Sequence, residues 1–160
     1  MTQRLSWDEY GCLLALAAKS RSIDPHTRVG GVAMTEEGRI IGISYNGLKS
    51  GVEMPQWMNL EENRALKSDL FIHCESNLCA LLKKNECHTI FLTISPCIKC
   101  CQSIAALNIQ RVVYVKEYEK CDKFKMFFEF HKISHQELSR ESKLRIKDYI
   151  RNSSFLELDG

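Results

Sequence analysis

The residues of this 160-residue chain whose types and spacing can do chemistry fall in two short stretches, His73-Cys74-Glu75 and Pro96-Cys97-Ile98-Lys99-Cys100-Cys101. One imidazole and two thiols make a three-ligand set for zinc. Three protein ligands leave a fourth tetrahedral position open to water, the arrangement of a catalytic rather than a structural site. Two thiolates and a neutral imidazole formally cancel the charge of Zn2+. Glu75 is not needed as a ligand. A carboxylate beside such a site can take a proton from water, then pass protons to a substrate nitrogen and a leaving amine.

The same residues admit other readings. Cys97-x-x-Cys100 alone also describes a redox pair, but that leaves His73 and Glu75 without a role. A structural zinc site would recruit a fourth ligand from Cys74, Cys101 or His88. Cys101 follows Cys100 on the same expected helix and points about 100° away from it. Cys74 stands in the same relation to His73. Both read as small buried residues. Cys12, Cys79, Cys87 and Cys121, like His26, His131 and His135, belong to no ligand pattern. The first residues carry Asp8, Glu9 and Lys19 and no long apolar run, so no secretion signal is read and the eight cysteines are expected to be reduced.

The elements that must hold these residues can be read in order. Ser6 stands three residues before Glu9, a capping box that predicts an amphipathic helix over 7–20. "RVGGVAM" (28–34) and "RIIGISY" (39–45) read as strands joined by the turn "TEEG". A Gly- and Pro-containing loop covers 46–57, and 58–70 shows no readable element. A helix is expected over 73–84, with Leu78, Leu81 and Leu82 facing inward. "HTIFLTI" (88–94) lacks polar alternation and reads as a strand buried on both faces. A helix opens at Pro96 with Ile104, Ala105 and Leu107 inward. "RVVYVK" (111–116) reads as a buried strand, 121–131 as a helix and 132–138 as the start of a last strand. No element is read beyond it. The order predicts one domain over 1–160, an α/β fold with helices on both faces of a mixed sheet. Its second half pairs in parallel through right-handed crossovers.

Composition narrows the partners. Hydrophobic content of 44% with 26% charged residues is ordinary for a soluble globular chain. A net charge of +2 is too small to predict a nucleic-acid surface. No stretch is apolar enough to span a bilayer. The expected partner is a small molecule, in the cytoplasm, with neither membrane nor nucleic acid.

His73-x-Glu75 followed by Pro96-Cys97-x-x-Cys100 is the signature of the zinc deaminases. With "RSIDPHTRVGGVAM", "GISYNG", "HCESN", "SPCIKCCQSI" and "VVYVKEYEK" in that order, the chain resembles the deoxycytidylate (dCMP) deaminase family over roughly 7–130. The resemblance implies a three-layer α/β/α cytidine-deaminase-like fold with a mixed five-stranded sheet. It implies hydrolysis of dCMP to dUMP and ammonia, supplying dUMP for thymidylate synthesis. One catalytic Zn2+ would sit on His73, Cys97 and Cys100, with Glu75 as proton shuttle. Asn46 would reach the sugar, Tyr118 would contact the substrate, and Asn77 matches the asparagine two residues after the glutamate. Arg21, in the Arg-x-x-Asp-Pro pattern, ranks ahead of Arg28 and Lys49 for a phosphate. A homo-oligomer, often a hexamer, with dCTP (as its Mg2+ complex) and dTTP as effectors also follows from the resemblance.

Cys74, Ser76 and Cys101 depart from the family's usual Ala, Leu and Ala, and 54–70 does not match. On the residues alone, Asn46-Gly47 also reads as a plain turn, Tyr118 as a surface aromatic and Arg21 as a helix-end charge. Other substrates stay open: dCTP, cytidine, a 5-substituted dCMP or single-stranded DNA. So does a zinc-bound module without activity, against which an intact Glu75 argues.

Overall fold

The computed structural model describes residues 4–54, 59, 62–118 and 122–152. The capping box forms: Glu9 N–H donates to Ser6 Oγ at 3.2 Å and Ser6 N–H to Glu9 Oε2 at 2.8 Å. It starts α1 (Trp7–Lys19). The hairpin follows as β1 (Gly30–Met34) and β2 (Ile40–Tyr45), turning through Gly38 at φ 82°. Then come α2 (Arg64–Leu70), α3 (Cys74–Cys79), β3 (Thr89–Ile94), α4 (Ile98–Ala106), β4 (Arg111–Lys116), α5 (Lys123–Phe130), β5 (Ser134–Glu137) and α6 (Arg140–Asn152).

The five strands form one sheet in the order β2-β1-β3-β4-β5. β1 is antiparallel to both its neighbours, and β3, β4 and β5 run parallel. The mixed, three-layer architecture expected from the resemblance is present. Strand alternation divides the core between two faces. Val32, Met34, Phe91 and Val113 pack with Cys12 and Ala15 of α1 and Ile146 of α6. Ala33, Ile90, Leu92, Val112 and Tyr114 pack with Leu78, Ile104 and Phe128 of α3, α4 and α5. Every residue of β3 is buried, as its unbroken apolar sequence requires. α1 lies so close to β1 that a Cβ at Gly30 would stand 2.0 Å from Ala15 O, so only glycine fits there. A bidentate fork from Arg111 to Asp8, at 2.6 and 2.7 Å, ties α1 to β4.

One expectation is corrected, and two stretches in which the sequence shows no readable element hold helices. The helix expected over 73–84 ends at Cys79. Beyond it the bonds tighten to three-residue spacing, from Leu81 N–H to Leu78 O and from Leu82 N–H to Cys79 O, and Asn85 turns the chain at φ 67°. Leu82 stays buried but Leu81 is 59% exposed. The unread stretch contains α2, which has no buried residue and so no periodic stripe to recognise. The region after 138, read as without an element, forms α6, anchored by Ile146 and by the Arg145–Glu9 ion pair at 2.5 Å. Residues 153–160, and Cys121 of the expected helix, lie outside the described residues. No helix among the described residues is long and apolar enough to cross a membrane.

Candidate functional site

The C-terminal ends of β2, β3 and β4 and the start of β1 meet at one sheet edge, since Gly30 pairs with Tyr45 and Gly31 with Leu92. The connections leaving that edge carry the chemical residues. β3 delivers Ser95 to Cys100, and β4 delivers Tyr118. β2 runs into Asn46, and a two-bond bridge between Gly47 and Ile72 (2.8 and 3.1 Å) brings the beginning of α3 alongside.

His73 and Cys97 both occupy N-cap positions, with extended backbone (φ −64°, ψ 148° and φ −76°, ψ 164°), while Cys100 sits in the first turn of α4. The three ligand atoms converge. His73 Nδ1 is 3.6 Å from Cys97 Sγ and 3.4 Å from Cys100 Sγ, and the two sulfurs are 3.5 Å apart. Zinc bonds of ~2.3 Å to sulfur and ~2.0 Å to nitrogen at tetrahedral angles place S···S about 3.8 Å and S···N about 3.5 Å apart. The donor set and its spacing therefore fit zinc. It is the one such His/Cys/Asp/Glu group found among the described residues. A hydrogen bond from the Cys100 thiol, with another from His73, holds Cys97 well below the usual thiol range and so favours thiolate. Cys100 itself is pushed up by that neighbour.

The rival ligands lie elsewhere. Cys74 and Cys101 are wholly buried in the core beneath α3 and α4. Burial pushes the Cys74 thiol up to about 12, and its Sγ lies 3.2 Å from Ser44 Oγ. His88 Nδ1 pairs with Thr89 Oγ1 at 2.8 Å. The seven described cysteines form no disulfide.

Glu75, in the first turn of α3, is 5% exposed. Burial pushes its carboxyl up to about 7, against the opposing pull of its own backbone N–H and of His73. It lines a cleft of about 170 Å³ together with His73 and Cys97. Val29, Phe71 and Ile94 give the cleft apolar walls, and Tyr118 stands at its rim, 42% exposed. Tyr118 is held there by its N–H bond to Ser95 Oγ at 2.8 Å.

Asn46 reaches the cleft wall, but its side chain is fully engaged within the protein. Oδ1 accepts from Ser22 Oγ (2.8 Å) and Val29 N–H (2.7 Å), and Nδ2 donates to Asp24 Oδ2 and Thr27 O (both 2.9 Å). Those are all four bonds an amide can make. Asn46 is thus the hub that shapes the Asp24–Val29 turn. Asn46→Ala is expected to destabilise the protein by about 2–4 kcal/mol in urea unfolding, because buried partners lose their bonds.

The remaining expected residues are not brought into the cleft. Asn77 donates to Tyr45 O at 2.9 Å and ties α3 to β2. Arg21 is exposed just past the end of α1 and lines no part of the cleft. Arg28 and Lys49 are exposed too, and Arg28 Nε points back to Asp24 O. Among the described residues, the cation that does line the cleft is Lys67 of α2, missed in the sequence. It pairs at 2.5 Å with Asp24, which is 1% exposed. Burial opposes the Asp24 charge. The bond from Lys67 and the N–H groups of Thr27 and His26 outweigh it and hold the carboxyl below its usual value. The Asp24-Pro25 pair was legible as a turn, but nothing local in the sequence marks its partner.

A family model described as the cytidine and deoxycytidylate deaminase zinc-binding region matches residues 5–116. Human deoxycytidylate deaminase is 28% identical over 119 residues, covering 71% of this chain and 66% of that protein, so the chain spans about two thirds of that relative's length. The deoxycytidylate deaminase of Mycobacterium phage D29 is 30% identical over 126 residues, covering 71% of this chain and 98% of that one. The apo crystal structure of dCMP deaminase from cyanophage S-TIM5 shares the fold, with a TM-score of 0.65 at 19% identity over 85% of this chain and 100% of that chain.

Proposed function

The chain belongs to the cytidine and deoxycytidylate deaminase zinc-binding family, and on that premise we propose that it hydrolyses dCMP to dUMP and ammonia. One observation carries the reading: a buried carboxyl, Glu75, beside a His/Cys/Cys group of zinc-binding geometry on the wall of a cleft. His73, Cys97 and Cys100 would hold the metal. Bound zinc supplies a Lewis acid that makes water a nucleophile near neutral pH.

Glu75 takes the proton from that water as its oxygen adds to C4 of the cytosine. It hands that proton to ring N3, then carries the proton of the new C4 hydroxyl to the amino nitrogen, which leaves as ammonia while C4 becomes a carbonyl. A carboxyl that titrates near neutrality serves both directions of transfer. Val29, Phe71 and Ile94 keep bulk water from the base. Tyr118, at the rim, is placed to cover it.

Tyr118→Ala is expected to lower kcat/KM for dCMP about tenfold, the scale of one lost aromatic contact with a base. Its zinc content should match the parent's. An unchanged kcat/KM would remove Tyr118 from substrate contact.

The decisive assay is ammonia release over cytidine, deoxycytidine, dCMP and dCTP, with zinc content measured on the same sample. Activity on dCMP above the others supports the reading, and a zinc-loaded protein inactive on all four overturns it. The effector responses to dCTP with magnesium and to dTTP are tested in the same assay. The reading includes a homo-oligomer. It is supported by the exposed Ile40, Ile43 and Tyr45 on the edge strand β2, flanked by Leu81, which reaches Gly42. Sedimentation measures it directly.

A further inference from the structure

The N-terminal end of α1 lies at the sheet edge opposite the cleft, where Asp8 meets Arg111 at the start of β4 and the Trp7 ring lies against Gly38 in the β1–β2 turn. A pocket of about 490 Å³ opens there, lined by Arg4, Leu5, Ser6, Trp7, Tyr10, Leu13 and Tyr149. It shares no lining residue with the cleft. Its volume falls in the roughly 300–1,000 Å³ range of small-molecule sites.

Three aromatic rings and two leucines make up most of its wall. Trp7 and Tyr10 stand three residues apart on one face of α1, with ring centroids 6.1 Å apart at 65°. A Cβ at Gly38 would stand 2.8 Å from Trp7 Cη2, so the indole is seated on the turn, yet it stays 54% exposed. Tyr149 comes from α6, which buried Ile146 and the Arg145–Glu9 ion pair fix against α1. Fixed, half-exposed rings offer faces and edges on which another planar ring can stack.

The polar groups select among planar molecules. Ser6 Oγ is already taken by Glu9 N–H in the helix cap. Arg4 is the one charged residue of the lining, exposed and without an ion pair among the described residues. It also borders an adjoining space of about 160 Å³ that holds Glu9, Arg145 and Asp148. Glu9 and Arg145 neutralise each other there: Glu9 Oε1 accepts from Arg145 at 2.7 Å, and Oε2 accepts from Ser6 N–H at 2.8 Å. Asp148 stays exposed. One guanidinium is thus open to an incoming anion, while the carboxylate beyond it disfavours a second negative charge. A carboxylate carries one charge and presents two oxygens to the planar fork of an arginine.

We propose that this pocket binds a planar aromatic carboxylate, its ring among Trp7, Tyr10 and Tyr149 and its carboxylate on Arg4. The site stands apart from the deamination chemistry and does not rest on it.

The test titrates the zinc-loaded chain with naphthoate, naphthyl phosphate and naphthylmethylammonium, following the indole N–H signal of Trp7 in proton–nitrogen correlation spectra. The chain has two tryptophans, so Trp57→Phe identifies that signal. Naphthoate should move it saturably at concentrations up to about 1 mM and should bind about tenfold or more tighter than the ammonium. Arg4→Met, at an exposed position, should weaken naphthoate roughly 10- to 100-fold and erase its advantage over the ammonium. Tyr149→Leu should weaken naphthoate about tenfold through the lost ring contact. Melting temperatures establish that both variants are folded. No saturable movement in the parent would overturn the site. Undiminished naphthoate binding in folded Arg4→Met would overturn the assignment of the carboxylate to Arg4. Tighter binding of the phosphate than of naphthoate would overturn the choice of a monoanion.

Discussion

Glu75→Gln is expected to lower turnover of dCMP by about 10³-fold or more while zinc stays bound. The substitution keeps volume and shape in a site that is 5% exposed, so the walls need not move. It leaves His73, Cys97 and Cys100 untouched. What it removes is a group that can accept and return a proton at neutral pH. General acid–base catalysis by one side chain contributes about 10²–10⁴-fold, and Glu75 is asked to act in more than one transfer. Steady-state rates and metal analysis on one preparation check it. Activity within tenfold of the parent, at full zinc content, would take Glu75 out of the proton-transfer role.

Cys100→Ser should lose the metal. Loss of a partner that only orients a ligand already costs 10–100-fold in affinity, so loss of a thiolate ligand should cost more than about 100-fold. The melting temperature should fall as well, because binding free energy at such a site is also folding free energy. Cys101→Ala is the control. Its sulfur is buried in the core cluster under α4 and takes no part in the His73, Cys97 and Cys100 group. It should keep zinc and activity. Competition with a chromogenic chelator measures the affinities. Zinc loss in Cys101→Ala would restore the four-ligand structural reading.

The His73, Cys97 and Cys100 group and Glu75 stood out because the signal of each motif is local. Spacings of two and three residues at the start of a helix place side chains together whatever the rest of the chain does. The sheet was legible for a similar reason: β3 is continuously apolar because both its faces are covered. Lys67 was not. α2 buries none of its residues, so it leaves no apolar stripe, and the partner that gives Lys67 meaning is far away in sequence at Asp24. α6 is a different case: Ile146, Tyr149 and Ile150 stand at helical spacing, but only Ile146 is buried among otherwise polar residues, so the stripe is narrow. Asn46 was found as a residue of interest, but its engagement with Ser22, Asp24, Thr27 and Val29 depends on β2 returning beside the segment before β1. Periodicity cannot show that a side chain is already satisfied.

The Asn46 hub also restricts how this chain can drift. An aspartate at position 46 would set a second carboxylate against Asp24 and offer Thr27 O no donor. A serine would be too short to reach all four partners. Replacement at 46 therefore becomes tolerable only with compensating change at 24 and 22, since residues in one hydrogen-bonded network do not contribute independently. Across a pool of randomised variants selected for folding, positions 22, 24 and 46 should be inherited as a linked set, while the neighbouring Arg21 varies freely.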